Sequence, residues 1–200
     1  MLLETVAEFD EKNLSKEFKE NLPQINYDIN HMKNIIDDFS SYYAINLEKE
    51  HFFVKESIQN RALKILNSKI TLKNIDINLQ IKEELKIYSF EHNFISIIMI
   101  LIDNSVDQFK DNRITNKIGI KITQNKNKIL IEYQDNAGGI KITPIEDVFK
   151  PTISLKNDTK SSGLGLSLLS MQLYDKLDGA ISVENKNGGA FFQIIISQQL

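Results

Sequence analysis

From Leu14 onward, apolar side chains recur at Leu14, Phe18, Leu22, Ile25, Ile29, Met32, Ile36, Phe39 and Tyr43, in steps of three and four. That spacing predicts a long helix offering one stripe to a partner helix. Lys, Glu, Asp and Asn fill the intervening positions, so the opposite face is solvated and only the stripe seeks burial. Pro23 interrupts the seam and, lacking a backbone donor, predicts a kink or a helix start near Leu22. Ahead of it, Leu2 to Phe9 and the polar stretch Asp10-Glu11-Lys12-Asn13 read as the tail of an earlier helix and a turn. Residues 1–48 are therefore expected to form part of a helical hairpin.

After Glu48 the pattern changes, and a second unit is expected over residues 49–200. His51-Phe52-Phe53-Val54 is a short strand signal, after which Ser57 is placed to cap an amphipathic helix through Ile58, Ala62, Ile65 and Leu66. Ile70 to Ile81 alternates in part, at Ile75, Ile77, Leu79 and Ile81, as a strand does. Phe94 to Phe109 predicts a helix too apolar to be exposed. Ile118-Ile120-Ile122 and Ile129-Ile131-Tyr133 flank the polar turn Asn125 to Asn127 and predict an antiparallel hairpin. A second pair, Ile181-Val183 and Phe191 to Ile196, closes around Asn187-Gly188-Gly189, after an irregular stretch from Ile140 to Ser162 and a helix from about Leu164 to Leu177. Helices with a mixed or antiparallel sheet imply an α+β fold, a two-layer α/β sandwich.

Composition narrows the function classes. The 200 residues are 42% hydrophobic and 26% charged, ordinary values for a globular protein with a sizeable core. A formal charge of -3 supplies no cationic field, so neither nucleic acid nor an acidic membrane is an expected partner. Cysteine is absent, which excludes disulfides and cysteine metal sites. The longest apolar run, Phe94 to Ile102, falls far short of the roughly 20 residues that cross a bilayer as a helix. With no basic flank or long apolar stretch at Met1 to Thr5, the expected location is the cytoplasm.

Four segments carry candidate chemistry: Ile100 to Asp107 on a helix, Asp135-Asn-Ala-Gly-Gly139 after a strand, Val148-Phe-Lys-Pro151, and Ser161-Ser-Gly-Leu-Gly165-Leu opening a helix. Ile100, Asn104 and Asp107 recur at spacings of four and three and share one helix face. In this order the segments resemble the N, G1, F and G2 boxes of the GHKL ATPase superfamily, and specifically the catalytic domains of sensor histidine kinases. The likeness covers Phe52 to Ser197 and, more loosely, the helix from Leu14 to Lys49.

The resemblance implies a Bergerat-type fold, a mixed sheet with helices on one face, that uses ATP and Mg²⁺. It assigns Asn104 to the metal, through an amide oxygen on a cation that keeps several waters and bridges phosphates. Asp107 would hold a water or backbone group nearby. Asp135, at a strand end, would accept a hydrogen from the exocyclic amine of adenine, where guanine offers only an acceptor. Gly138 and Gly139 would let the backbone approach the base without a Cβ. Phosphates would meet Ser162, Gly163, Leu164 and Gly165 at a helix start. Lys150, Thr152 and Lys156 would belong to a polar lid over residues 145–160. The implied partners are a second copy, through the N-terminal helical hairpin, and the receiver domain of a response regulator.

Departures from the pattern are specific. Ile100 stands where histidine kinases carry Asn and hydrolytic relatives carry Glu, so water activation is disfavoured. Ala137 and Ser161 replace glycines. No acceptor-histidine motif is present; of His31, His51 and His92, only His31 lies within the long helix, the one weak acceptor candidate, in a pattern that resembles the second hairpin helix and not the acceptor box. The acceptor is expected upstream of Met1, and His51 and His92 on the surface. Alternatives with the same fold are a serine kinase of the anti-sigma type and a degenerate ATP-binding pseudokinase that serves as a docking module.

Overall fold

The computed structural model describes residues 48–109, 115–151 and 164–198, together with the helical positions Asn21, Leu22, Ile25 and Ile29. The rest of the stretch from Leu14 to Tyr43, including His31, lies outside the described residues, as do Thr152, Lys156, Ser162 and Gly163.

The first strand, β1 (Glu50–Phe53), runs into a helix without a break. That helix, α1, comprises Val54–Ser57, a π-helical stretch Ile58–Leu63 and Lys64–Leu72. The expectation that Ser57 caps a helix is corrected here. The helix has already begun at Val54, and the Ser57 hydroxyl instead donates to buried Glu91 Oε1 at 2.6 Å. Strand β2 (Ile75–Ile81) starts only after α1 ends at Leu72, so Ile70 belongs to the helix. Strand β3 (Lys86–Ser89), which the hydrophobic pattern did not reveal, pairs antiparallel with β1 in a small separate sheet.

The apolar run forms α2 (Glu91–Gln108), whose Phe94, Ile97, Ile98, Leu101 and Ile102 are fully buried. Then come β4 (Asn116–Asn125), β5 (Lys128–Asp135), a 3₁₀ turn at Ile145–Phe149, α3 (Gly165–Leu177), β6 (Gly179–Lys186) and β7 (Gly189–Ser197). Five strands form one sheet in the order β2-β4-β5-β7-β6. The β2–β4 pair is parallel and the others antiparallel, which makes the sheet mixed.

Period-two alternation decides which face is buried. Ile118, Ile120 and Ile122 of β4, Ile129, Ile131 and Tyr133 of β5, and Phe192, Ile194 and Ile196 of β7 all point into the core with α2 and α3. Lys117 and Lys121 of β4 face the other way, into solvent. Helices thus cover one face of a mixed sheet, the expected two-layer sandwich. The β6–β7 connection is a two-residue turn with positive φ at Asn187 (51°) and Gly188 (76°), the left-handed geometry that suits a tight hairpin.

Candidate nucleotide site

The alternation that buries Ile131 and Tyr133 carries on to Asp135, so the last residue of β5 places a carboxylate on the inward face, 6% exposed. A carboxylate is tolerated there only if donors surround it. Its Oδ1 accepts the amides of Ala137 (2.9 Å) and Ala190 (3.0 Å), and its Oδ2 accepts the Ser105 hydroxyl at 2.6 Å. The Ser105 oxygen also lies 2.7 Å from the hydroxyl of Tyr133, which has Leu101 O as a second neighbour at 3.0 Å. Burial pushes the Tyr133 phenol well above its ordinary range, and the nearby Asp135 and Asp103 charges add to that against the lowering hydrogen bond with Ser105. Tyr133 is therefore a neutral donor.

The segment after Asp135 is held from two sides. Asn136 accepts the Lys117 amide at 2.8 Å and donates to Thr115 O at 3.1 Å. On the other side, the Gly138 amide donates to Gly188 O at 3.0 Å, and Asn185 grips Ile140, accepting its amide (2.7 Å) and donating to its carbonyl (2.8 Å). Gly138 and Gly139 both have positive φ (108° and 76°), and a Cβ on Gly139 would fall 2.7 Å from Asn185 Oδ1. Glycine is needed here for backbone conformation and for the close pass of Asn185.

One residue before Ser105 on α2, half-buried Asn104 donates its Nδ2 to Ile100 O at 2.8 Å. That bond turns the amide so that Oδ1, the atom able to ligate a hard cation, is the remaining end. Among the described residues no group of three or more His, Cys, Asp or Glu side chains could hold a metal. A cation at Asn104 would thus draw its other ligands from phosphates and water, as Mg²⁺ commonly does. The start of α3 lies alongside: a Cβ on Gly165 would sit 3.5 Å from Ile100 Cγ2 and 3.7 Å from Asn104 Nδ2. Among the described residues no side chain caps the α3 N-terminus, and amides at a helix start attract anions.

Of the residues singled out in the sequence, Asn104, Gly165 and Ile100 come together, and Asp135, Gly138 and Gly139 form one loop; α2 links the two groups through Ser105. Asp107 is exposed near the end of α2. Lys150 is exposed and paired with Asp147 at 2.7 Å, so its charge is met within the 3₁₀ turn. His51 and His92 are exposed, as expected, with His51 against the Tyr88 ring. Sequence reasoning missed Ser105, Tyr133, Asn185 and Gly189. Two signals were present: Tyr133 shares strand parity with Asp135, and Asn187-Gly188-Gly189 holds one more glycine than a two-residue turn needs.

Comparison with known proteins agrees with this geometry. Residues 91–200 match the family model of the histidine kinase-, DNA gyrase B- and HSP90-like ATPases. A probable C4-dicarboxylate sensor kinase of Halalkalibacterium halodurans is 31% identical over 110 residues, 54% of this chain. The chain spans about one fifth of that relative's length, the alignment covering 20% of it. The nucleotide-free catalytic domain of histidine kinase ThkA superposes with a TM-score of 0.66 at 24% identity, covering 76% of this chain and 96% of that one. ThkA in complex with the response regulator TrrA gives 0.67 at 21% identity, covering 95% of this chain and 53% of that one. At these identities the structures establish the fold, whereas the family match spans more than half the chain, including α2, Asp135 and α3. The chain belongs to the histidine kinase-, DNA gyrase B- and HSP90-like ATPases.

Proposed function

We propose that this chain binds Mg-ATP and directs the γ-phosphate to a histidine on a dimerisation hairpin, from which it passes to the receiver domain of a response regulator. Residues 1–48 would supply part of that hairpin and the contact with a second copy; the probable sensor kinase and the ThkA–TrrA complex motivate these assignments. The observation that carries the reading is Asp135, a buried carboxylate whose Oδ1 takes two amides and whose Oδ2 takes one hydroxyl. A carboxylate has about four acceptor positions. The one left suits an exocyclic amine and rejects a carbonyl, hence adenine over guanine.

Asn104 Oδ1 would ligate Mg²⁺, whose charge offsets that of the phosphates, and Asp107 would hold a water or backbone group beside it. The α3 start, with Ser162, Gly163, Leu164 and Gly165, would orient the phosphates, while Lys150, Thr152 and Lys156 would close over them. An imidazole nitrogen is already a nucleophile, so the chain's task is positioning and charge neutralisation, and Ile100 in place of a water-activating acid is compatible with it. A second reading, ATP binding without phosphotransfer, is favoured by that same Ile100, an apolar side chain set beside Asn104 and Gly165.

Calorimetric titration tests the binding claim. Mg-ATP and Mg-ADP are expected to bind and Mg-GTP not, with Asn104→Ala weakening ATP; unchanged ATP affinity in Asp135→Asn would overturn the adenine assignment. Incubation with labelled ATP and a hairpin carrying the acceptor then separates the two readings. Acid-labile, alkali-stable phosphate on the hairpin supports the kinase, and tight ATP binding without it supports the second reading.

A further inference from the structure

Two hydroxyls stand behind Asp135, and the proposed function counts one of them as a donor without giving either a role in recognition. Tyr133 and Ser105 are 0% and 2% exposed, and no solvent reaches either to satisfy it. The 2.6 Å separation of Ser105 Oγ from Asp135 Oδ2 is that of a hydroxyl donating to a carboxylate, so the single Ser105 proton is committed to Asp135. The 2.7 Å contact between Ser105 and Tyr133 then requires Tyr133 to be the donor. Its other acceptor, Leu101 O at 3.0 Å, is a helix carbonyl already served by the amide four residues on, which is that of Ser105 itself. The phenol keeps its proton because burial disfavours the phenolate. The result is a directed chain, Tyr133 to Ser105 to Asp135, in which each donor polarises the next.

We propose that Ser105 is a positioning residue for base recognition: its hydroxyl, driven by Tyr133, fixes Asp135 Oδ2 so that a single acceptor position faces the 6-amino group of adenine. This rests on Asp135 being the base reader. The amides of Ala137 and Ala190 hold Oδ1 but leave the carboxylate free to pivot about it, and among the described residues only Ser105 holds the second oxygen. Loss of the Ser105 hydroxyl should therefore reduce discrimination at the purine 6-position and leave phosphate and ribose contacts alone.

The test compares ADP with purine riboside 5′-diphosphate, which lacks the 6-amino group, on wild type, Ser105→Ala and the near-isosteric Ser105→Cys, which keeps the space filled if the alanine variant fails to fold. Both variants are expected to lose about tenfold in ADP affinity while the analogue changes by less than about twofold. An equal loss for both ligands would reduce Ser105 to a structural role and overturn the proposal, as would undiminished ADP affinity. Failure of the underlying reading looks different: wild type would not prefer ADP over the analogue, and Asp135→Asn would leave the two affinities unchanged. Tyr133→Phe, which removes the driver but not the Ser105 bond, is expected to shrink the ADP preference by about twofold to threefold, and an unchanged preference would remove Tyr133 from the chain.

Discussion

Gly189→Ala isolates the closest backbone approach at the site. A Cβ at this position would lie 1.9 Å from Asp135 O, 2.4 Å from Asp135 C and 2.5 Å from Asp135 Oδ1. The first two are main-chain atoms where the end of β5 meets the start of β7, so no side chain can rotate away, and β5 and β7 must separate locally by about 1 Å or more. Overpacking of this kind costs about 1–3 kcal/mol. The separation also pulls the Ala190 amide from Asp135 Oδ1, now 3.0 Å away, a buried charged hydrogen bond worth about 1.5–3 kcal/mol. Together the expected loss is about 2.5–6 kcal/mol, or a fall in Tm of roughly 5–24 °C for a chain of this size. Gly188→Ala is the control: its φ is 76° but no atom lies within 4 Å of the added Cβ, so only the left-handed backbone cost of about 1–2 kcal/mol applies. Urea unfolding followed by circular dichroism, with m-values compared, measures both. Equal destabilisation by the two variants would refute the claim that Asp135 is held by steric fit against β7.

Two further perturbations address buried polar groups. Gln172 on α3 is fully buried; its Nε2 is 3.4 Å from Ser96 Oγ, and its Oε1 has no partner among the described residues. Gln172→Met should therefore raise the urea midpoint at unchanged m, by about 1–2 kcal/mol, and a lowered midpoint would show that Oε1 is satisfied. For Tyr133, the folded pKa is raised by burial, so its contribution to stability is fully present below the unfolded value of about 10 and is lost as pH climbs toward the folded value. Tyr133→Phe should remove about 1.4 kcal/mol per pH unit from the alkaline slope of stability; identical slopes for the two proteins would contradict the buried neutral phenol.

Elements with one buried face were legible in the sequence because burial itself writes the period. Helix α2 and the hairpins β4–β5 and β6–β7 could be read from Phe94 to Ile102, Ile118 to Tyr133 and Ile181 to Ile196. Strand β3 could not, since Lys86-Ile87-Tyr88-Ser89 is only four residues long and exists by pairing with β1. Ser57 misled for a related reason: a serine before an apolar run is a capping signal, yet its hydroxyl serves Glu91, 34 positions away. The site divides in the same way. Asn104, Asp135 and Gly165 were readable because their order along the chain carries information. Ser105 and Gly189 matter through single contacts between distant segments, which spacing along one segment does not encode.

Asn104 and Ser105 are consecutive on α2 and so about 100° apart around its axis, one directed at the start of α3 and the other at the end of β5. The Asp135 and Gly165 ends of the candidate site therefore share one rigid element, and displacement of α2 against the sheet must disturb both together. Beyond their shared apolar core, polar side-chain contacts at two places tie α2 to α1. Beside Asn104, Lys69 meets Asp103 at 2.7 Å, but the side chains are 52% and 43% exposed, and such pairs contribute about 0–1 kcal/mol. At the helix start, Glu91 is 7% exposed and takes both the Ser57 hydroxyl and Arg61 Nη2, the latter at 2.9 Å. Removing that carboxylate would strand a buried serine and break a charge-assisted bond, a loss of about 2–4 kcal/mol once the half-exposed Arg61 is discounted. The buried polar anchor of α2 against α1 is therefore Glu91, nearly four turns of helix from Asn104 and Ser105.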